Sequence, residues 1–187
     1  QILHQRAVRH LREEDYIHSG GHRLHLDILP GGKDAPVVVF IPGTAIYAQT
    51  YTAFMLALCR AGFTVVGFDP RGHGRSSGPR GDYTIDEIVD DTLAVAAYAR
   101  RRFKNPVAVA GSSQGGIAAF YAAARDDGLA AAVCHNLADL NGKANQVLSR
   151  TRVPSWSTPL VQAVMRLYGG FLIPLVLYLD LTKIHLE

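Results

Sequence analysis

Residues 107–120 read VAVAGSSQGGIAAF: a run of small and β-branched apolar residues meets a glycine, then two serines, then a small-residue stretch of helical character. A strand that gives way to a helix across so few residues has one main use. It starts a crossover that returns the chain to a parallel neighbour in the same sheet. The preceding residues repeat the alternation. PVVVFI at 36–41 is continuously apolar, as a central parallel strand covered on both faces must be, and it stops at PGT. Tyr51–Ala61 reads as a helix closed by Gly62, and FTVVGF at 63–68 as a second buried strand. A glycine-rich loop, DPRGHGRSSGPRGD, fills 69–82. Thr84 and Glu87 have the spacing of a capping box and start a helix that runs to about Arg102. PVAVA, a helix over Gln114–Ala124 and a strand over 131–136 complete the pattern. Upstream, DYIHS and HRLHLDIL form a hairpin turning at Gly20-Gly21, and the alternation in His22–Leu29 predicts one solvated face.

The fold class is therefore α/β, a mostly parallel sheet with crossover helices. With 187 residues, 48% hydrophobic and 19% charged, the chain suits one folded domain with room for a subdomain. The pattern changes after Asn141, where Pro154 and Pro159 flank a Trp-containing linker, so the expected division is a core over 1–145 and a cap or lid segment over 146–187. Net charge is +3, and the arginines at 100–102 and near 71, 75 and 80 read as solvated faces; no basic block suggests nucleic acid. Cys59 and Cys134 sit in apolar contexts without metal-ligand spacing. They read as buried free thiols, no metal site is expected, and a reducing, cytoplasmic setting fits. The chain begins at Gln1 with no signal-peptide pattern. The apolar stretch 160–181 is broken by Arg166, Gly169-Gly170 and Pro174; its uninterrupted part, 167–179, falls short of the roughly 18–20 residues a membrane span needs. A buried or lid helix is expected there.

Gly111-Ser112-Ser113-Gln114-Gly115 fits G-x-S-x-G and selects Ser113 as the candidate nucleophile. A sharp strand-to-helix turn needs glycines beside the serine and holds its hydroxyl above the sheet. The backbone N–H of Gln114 then faces a developing oxyanion from a helix N-terminus. The bare pattern is short enough to arise by chance as a small-residue packing turn; the buried strand before it and the helix after it give it weight.

With these motifs in hand the chain resembles the α/β-hydrolase family. FIPGT matches the family's oxyanion loop, FDPRGHGRSSG the loop after the next strand, and AGSSQGG the nucleophile elbow, in the family's order and across roughly residues 10–140. DPRGHGRS is similar to the form found in monoglyceride-lipase-like, lysophospholipase-like and esterase members. The resemblance implies a second oxyanion donor at the backbone N–H of Thr44, although many members carry histidine where this chain has Pro42. It implies that Asp69, Arg71 and His73 shape their loop by hydrogen bonding. It also implies the chain order Ser, Asp or Glu, then His. Only His135 and His185 follow Ser113, and neither matches the family position; His135, inside a strand, reads as a satisfied core residue. Asp139 stands where some members place the acid, and Asp180 reads as a residue at the end of the cap. The expectation is about six strands and the start of a cap, with the histidine and two further strands absent or on another chain, and hence little turnover from the 187 residues alone.

The implied activity is hydrolysis of carboxylic esters through an acyl-enzyme on Ser113, on small hydrophobic substrates and without a cofactor. A non-catalytic binding protein on the same scaffold is the alternative, and a membrane-anchored protein a third reading. Residues 155–181 would lie over the site and, left uncovered, would recruit a second copy, a C-terminal partner chain or a lipid-like ligand.

Overall fold

The computed structural model describes residues 12–136. They belong to the first of two compact units, Gln1–Leu137, and form one six-stranded sheet in the order β1-β2-β4-β3-β5-β6. The strands are β1 (Glu13–Ser19), β2 (His22–Leu29), β3 (Val37–Ile41), β4 (Thr64–Phe68), β5 (Val107–Ser112) and β6 (Ala132–His135). The helices are α1 (Thr52–Arg60), preceded by a short 3-10 turn at Ala48–Tyr51, α2 (Ile85–Phe103) and α3 (Gln114–Arg125).

β1 and β2 pair antiparallel with Ser19 opposite His22, which leaves Gly20 and Gly21 as a two-residue turn. Both have positive φ, the conformation that fits such a turn to the twist of the strands. β2 runs antiparallel to β4, whereas β4, β3, β5 and β6 are mutually parallel. Pleating divides β3 between two cores. Val37, Val39 and Ile41 pack with Ile88, Val89, Val95 and Ala96 of α2 and with Ala118, Ala119 and Ala122 of α3. Val38 and Phe40 pack on the opposite face with Met55 and Leu56 of α1. Every residue of β3 and β4 is buried, as their continuous apolar runs predict. The capping box forms in both directions: Thr84 Oγ1 accepts from the Glu87 N–H, and the Glu87 carboxylate accepts from the Thr84 N–H at 2.7 Å.

Three expectations change. β2 has no solvated face: Leu24 to Leu29 are all buried, because the polar side chains His25 and Asp27 are covered by the loop after β4 and by Arg12. Arg71 is not part of a solvated face but lies inside, gripped by α2. Cys59 and Cys134 are half-buried rather than buried. Among the described residues no helix is long and apolar enough to cross a membrane. The stretch 160–181 lies outside them, as do Asp139, Asp180 and His185.

Candidate functional site

β3 and β5 are adjacent, yet the chain leaves β3 for β4 on one side and reaches β5 on the other. Loops leaving the carboxyl ends of two such strands diverge and open a crevice between them, the place where ligands bind in open α/β sheets. Gly43 and Thr44 follow β3 into this crevice, and Ser113 and Gln114 follow β5.

The turn after β5 is built by removing side chains. A Cβ on Gly111 would overlap the Gly115 carbonyl, and one on Gly115 would overlap the carbonyl of Ile41 and come within 2.6 Å of that of Pro42. A Cβ on Gly116 would reach 3.0 Å from the His135 carbonyl. Only glycine lets the first turn of α3 press against the ends of β3 and β6. Ser113 takes up the direction change with φ 56° and ψ −118°, a region that costs a side-chain-bearing residue strain. Its N–H donates to the His135 carbonyl at 2.9 Å, and its carbonyl accepts from the N–H groups of Gly116 and Ile117. Its side chain is exposed and makes no capping hydrogen bond. Ser113 thus stands at the carboxyl edge of the sheet with a free hydroxyl, whereas Ser112 ends β5.

The loop after β3 meets this turn. Gly43 is buried, and a Cβ there would sit 3.3 Å from the Ser112 carbonyl and 3.5 Å from the Tyr51 hydroxyl. Ala45 follows with φ 62°, a second left-handed non-glycine residue at the same end of the sheet. Thr44 thus follows β3 and Gln114 follows β5 at the same end of the sheet.

The loop after β4 is built the opposite way, from side chains. Asp69 accepts from the Ala48 N–H at 3.0 Å through one oxygen, and from the Arg75 N–H at 2.9 Å and His25 Nδ1 at 3.0 Å through the other. A Cβ on Gly74 would strike that carboxylate. Arg71 donates bidentately to Asp91 at 2.9 and 2.8 Å and also to Glu87 at 2.6 Å. These hydrogen bonds to Asp91 hold the guanidinium firmly protonated. His73 stacks its edge on Tyr83, with centroids 5.8 Å apart, and its Nδ1 donates to the Arg71 carbonyl at 3.1 Å. Asp69, Arg71 and His73 hold the loop, as the motif implies.

His135 is an exposed residue rather than a satisfied core one, because β6 is an edge of the described sheet. Its Nδ1 lies 3.4 Å from Ser112 Oγ, so it faces the neighbour of the candidate nucleophile. Asp139, the candidate acid, lies outside the described residues. Among the described residues no group of three metal-ligating side chains converges. Two features had no signal in the sequence: the His25–Asp69 pair, and a hydrogen bond from the Tyr83 hydroxyl to Gln114 Oε1 at 3.1 Å. Both join residues more than thirty positions apart.

Comparison with known proteins gives the family and the fold. The family model for serine aminopeptidase, S33, matches residues 32–166. The bifunctional esterase/perhydrolase DCH of Acinetobacter calcoaceticus is 38% identical over 93 residues, 50% of this chain and 33% of that protein. Est1E from Butyrivibrio proteoclasticus, solved with ferulic acid bound, superposes at a TM-score of 0.60 with 27% identity, over 64% of this chain and 51% of that one. The α/β hydrolase GrgF from Penicillium sp. sh18 superposes at a TM-score of 0.68 over 87% of this chain and 57% of that one; at 22% identity this is a likeness of fold. The matched stretch spans about a third of the curated relative's length.

Proposed function

Because the chain belongs to the serine aminopeptidase S33 family of α/β hydrolases, we propose that the protein it represents hydrolyses carboxylic esters through an acyl-enzyme on Ser113. The observation that carries the reading is Ser113 itself, exposed at the carboxyl edge of the sheet in a strained backbone conformation that the surrounding glycines enforce. Strain of this kind persists only where the surroundings over-determine it, and it clusters at functional positions.

In the proposed reaction Ser113 Oγ bonds to the acyl carbon, and the carbonyl oxygen gains charge opposite the N–H groups of Thr44 and Gln114. The bond from the acyl carbon to the alcohol oxygen breaks. The serine proton passes through a base to the leaving alcohol, and water then releases the acid by the same steps in reverse order. Among the described residues His135 faces Ser112 rather than Ser113, and Asp139, the candidate acid, lies outside them. Kinship with an esterase/perhydrolase and a fold shared with Est1E, solved with ferulic acid bound, support acyl transfer. A small apolar ester as substrate, and contact of 155–181 with substrate, a second copy or another chain, remain part of the proposal.

The test is hydrolysis of p-nitrophenyl butanoate by the protein at its natural length. Ser113→Ala should lower kcat/KM by about a thousandfold or more, while Ser112→Ala should retain most of it. Equal activity in wild type and Ser113→Ala would overturn the assignment.

A further inference from the structure

We propose that Tyr83 is a positioning residue that fixes the Gln114 carboxamide, and that the Gln114 amide N–H then selects acyl groups carrying a second oxygen close to the scissile carbonyl. The inference rests on the ester-hydrolase reading of Ser113 and deepens it by naming a class of substrate.

Gln114 is the first residue of α3 and directly follows Ser113, so its side chain rises from the same turn as the candidate nucleophile. The Tyr83 hydroxyl donates to Gln114 Oε1 at 3.1 Å. A primary carboxamide has one acceptor oxygen and one doubly donating nitrogen on opposite sides of a plane. Engaging the oxygen therefore fixes where the nitrogen points. Gln114 is half-buried, and among the described residues that nitrogen has no hydrogen-bond partner and is not one of their buried unsatisfied polar atoms. A donor held this way, with no acceptor among the described residues, is available to a ligand.

Tyr83 is itself held from three sides. It directly precedes Thr84, the N-cap of α2; its ring packs against the main core; and it forms a T-shaped pair with the His73 ring. His73 is anchored to the Arg71 carbonyl, and Arg71 to Asp91 and Glu87 of α2. Burial pushes the Tyr83 phenol up, outweighing the Gln114 hydrogen bond, so it remains a neutral O–H donor throughout the physiological range. The loop after β4 thereby passes its rigidity, through one hydroxyl, to the residue next to the nucleophile. An ester whose acyl chain places an ether, hydroxyl or keto oxygen within a few bonds of the carbonyl can accept from the Gln114 amide while its carbonyl occupies the oxyanion position. A plain alkyl chain leaves that donor unpaired against apolar atoms, which costs affinity.

The test compares p-nitrophenyl methoxyacetate with p-nitrophenyl butanoate, two esters of nearly equal shape in which an ether oxygen replaces one methylene. Ser113-dependent release of p-nitrophenolate is measured for wild type, Tyr83→Phe and Gln114→Met, with the melting temperature of each. Referencing each ratio to wild type cancels the greater intrinsic reactivity of the methoxyacetate. Both variants should lower the methoxyacetate-to-butanoate ratio of kcat/KM by about fivefold, the worth of one hydrogen bond. The double variant should lower it no further, because the two residues act as one unit. Tyr83→Phe keeps the ring on His73, so a purely structural role would reduce both esters alike and leave the ratio unmoved. An unmoved ratio in both variants overturns the inference alone. If Tyr83→Phe fails to fold, Gln114→Met decides. Absence of any Ser113-dependent release overturns the inference together with the reading beneath it.

Discussion

Two turns stand at the carboxyl edge of the sheet, after the strands on either side of β3, and they are made in opposite ways. The loop after β4, residues 69–83, is held by side chains: Asp69 gathers three donors, and Arg71 is clamped bidentately to a fully buried Asp91. The turn after β5, residues 111–116, is held by the lack of side chains: three glycines let backbone press on backbone, and Ser113 absorbs the strain. A loop built from side chains is held at separate points, each of which can adjust without moving the backbone. A turn built from backbone contact tolerates almost no added atom, and in exchange it places one hydroxyl with little freedom. The first suits a brace and the second a reacting group.

The largest expected effect breaks the brace. Arg71→Ala leaves Asp91 as an uncompensated charge with no exposure, which should cost about 3–5 kcal/mol in chemical unfolding. The cost should fall on folding rather than on Ser113 alone; loss of ester hydrolysis at unchanged stability would contradict the comparison. Breaking the turn comes next. Gly115→Ala drives a methyl into the carbonyls of Ile41 and Pro42, where only backbone could give way, and should cost about 3 kcal/mol. An unchanged melting temperature would mean that the contact is looser than the structure shows.

A smaller effect sharpens the contrast. If Ser113 stores strain, glycine should relieve it and alanine should not. Ser113→Gly should be more stable than Ser113→Ala by about 1 kcal/mol, despite the usual penalty for glycine. Equal stability, or the reverse order, would place the strain elsewhere.

The smallest effect lies at the hinge between brace and helix. The Thr84 N–H, and then its hydroxyl and Arg71, hold the Glu87 carboxyl below the usual glutamate range. A group whose folded pKa is depressed contributes stability at neutral pH and loses it as pH falls through its folded value. The stability difference between wild type and Glu87→Gln should therefore shrink on acidification below roughly pH 4. Thr84→Ala should cost about 1 kcal/mol at neutral pH. A gap that widens in acid would reverse the sign of the coupling.

Both turns were visible in the sequence, to different depths. G-x-S-x-G between an apolar strand and a helix located the elbow to the residue, because its geometry depends on glycines at fixed local offsets. Strands and helices with strong periodicity, and the Thr84–Glu87 box, were legible for the same reason: their causes lie within one turn or one pleat. What misled was tertiary. Alternation in β2 suggested a solvated face, but Asp69, forty-four residues after His25, bonds and covers that side. Arg71 looked like a surface charge until α2 supplied Asp91, and Tyr83 gave no hint of Gln114. Pairings across the sheet carry no local spacing, so no motif announces them.

The central claim is that Ser113, and not the neighbouring Ser112, is the reacting hydroxyl. Incubation of the protein at its natural length with a fluorophosphonate, followed by intact mass and peptide mapping, tests it most directly. One adduct on Ser113, retained in Ser112→Ala and lost in Ser113→Ala, is the predicted result. An adduct on Ser112, which His135 faces at 3.4 Å, or no adduct at all, would contradict the account.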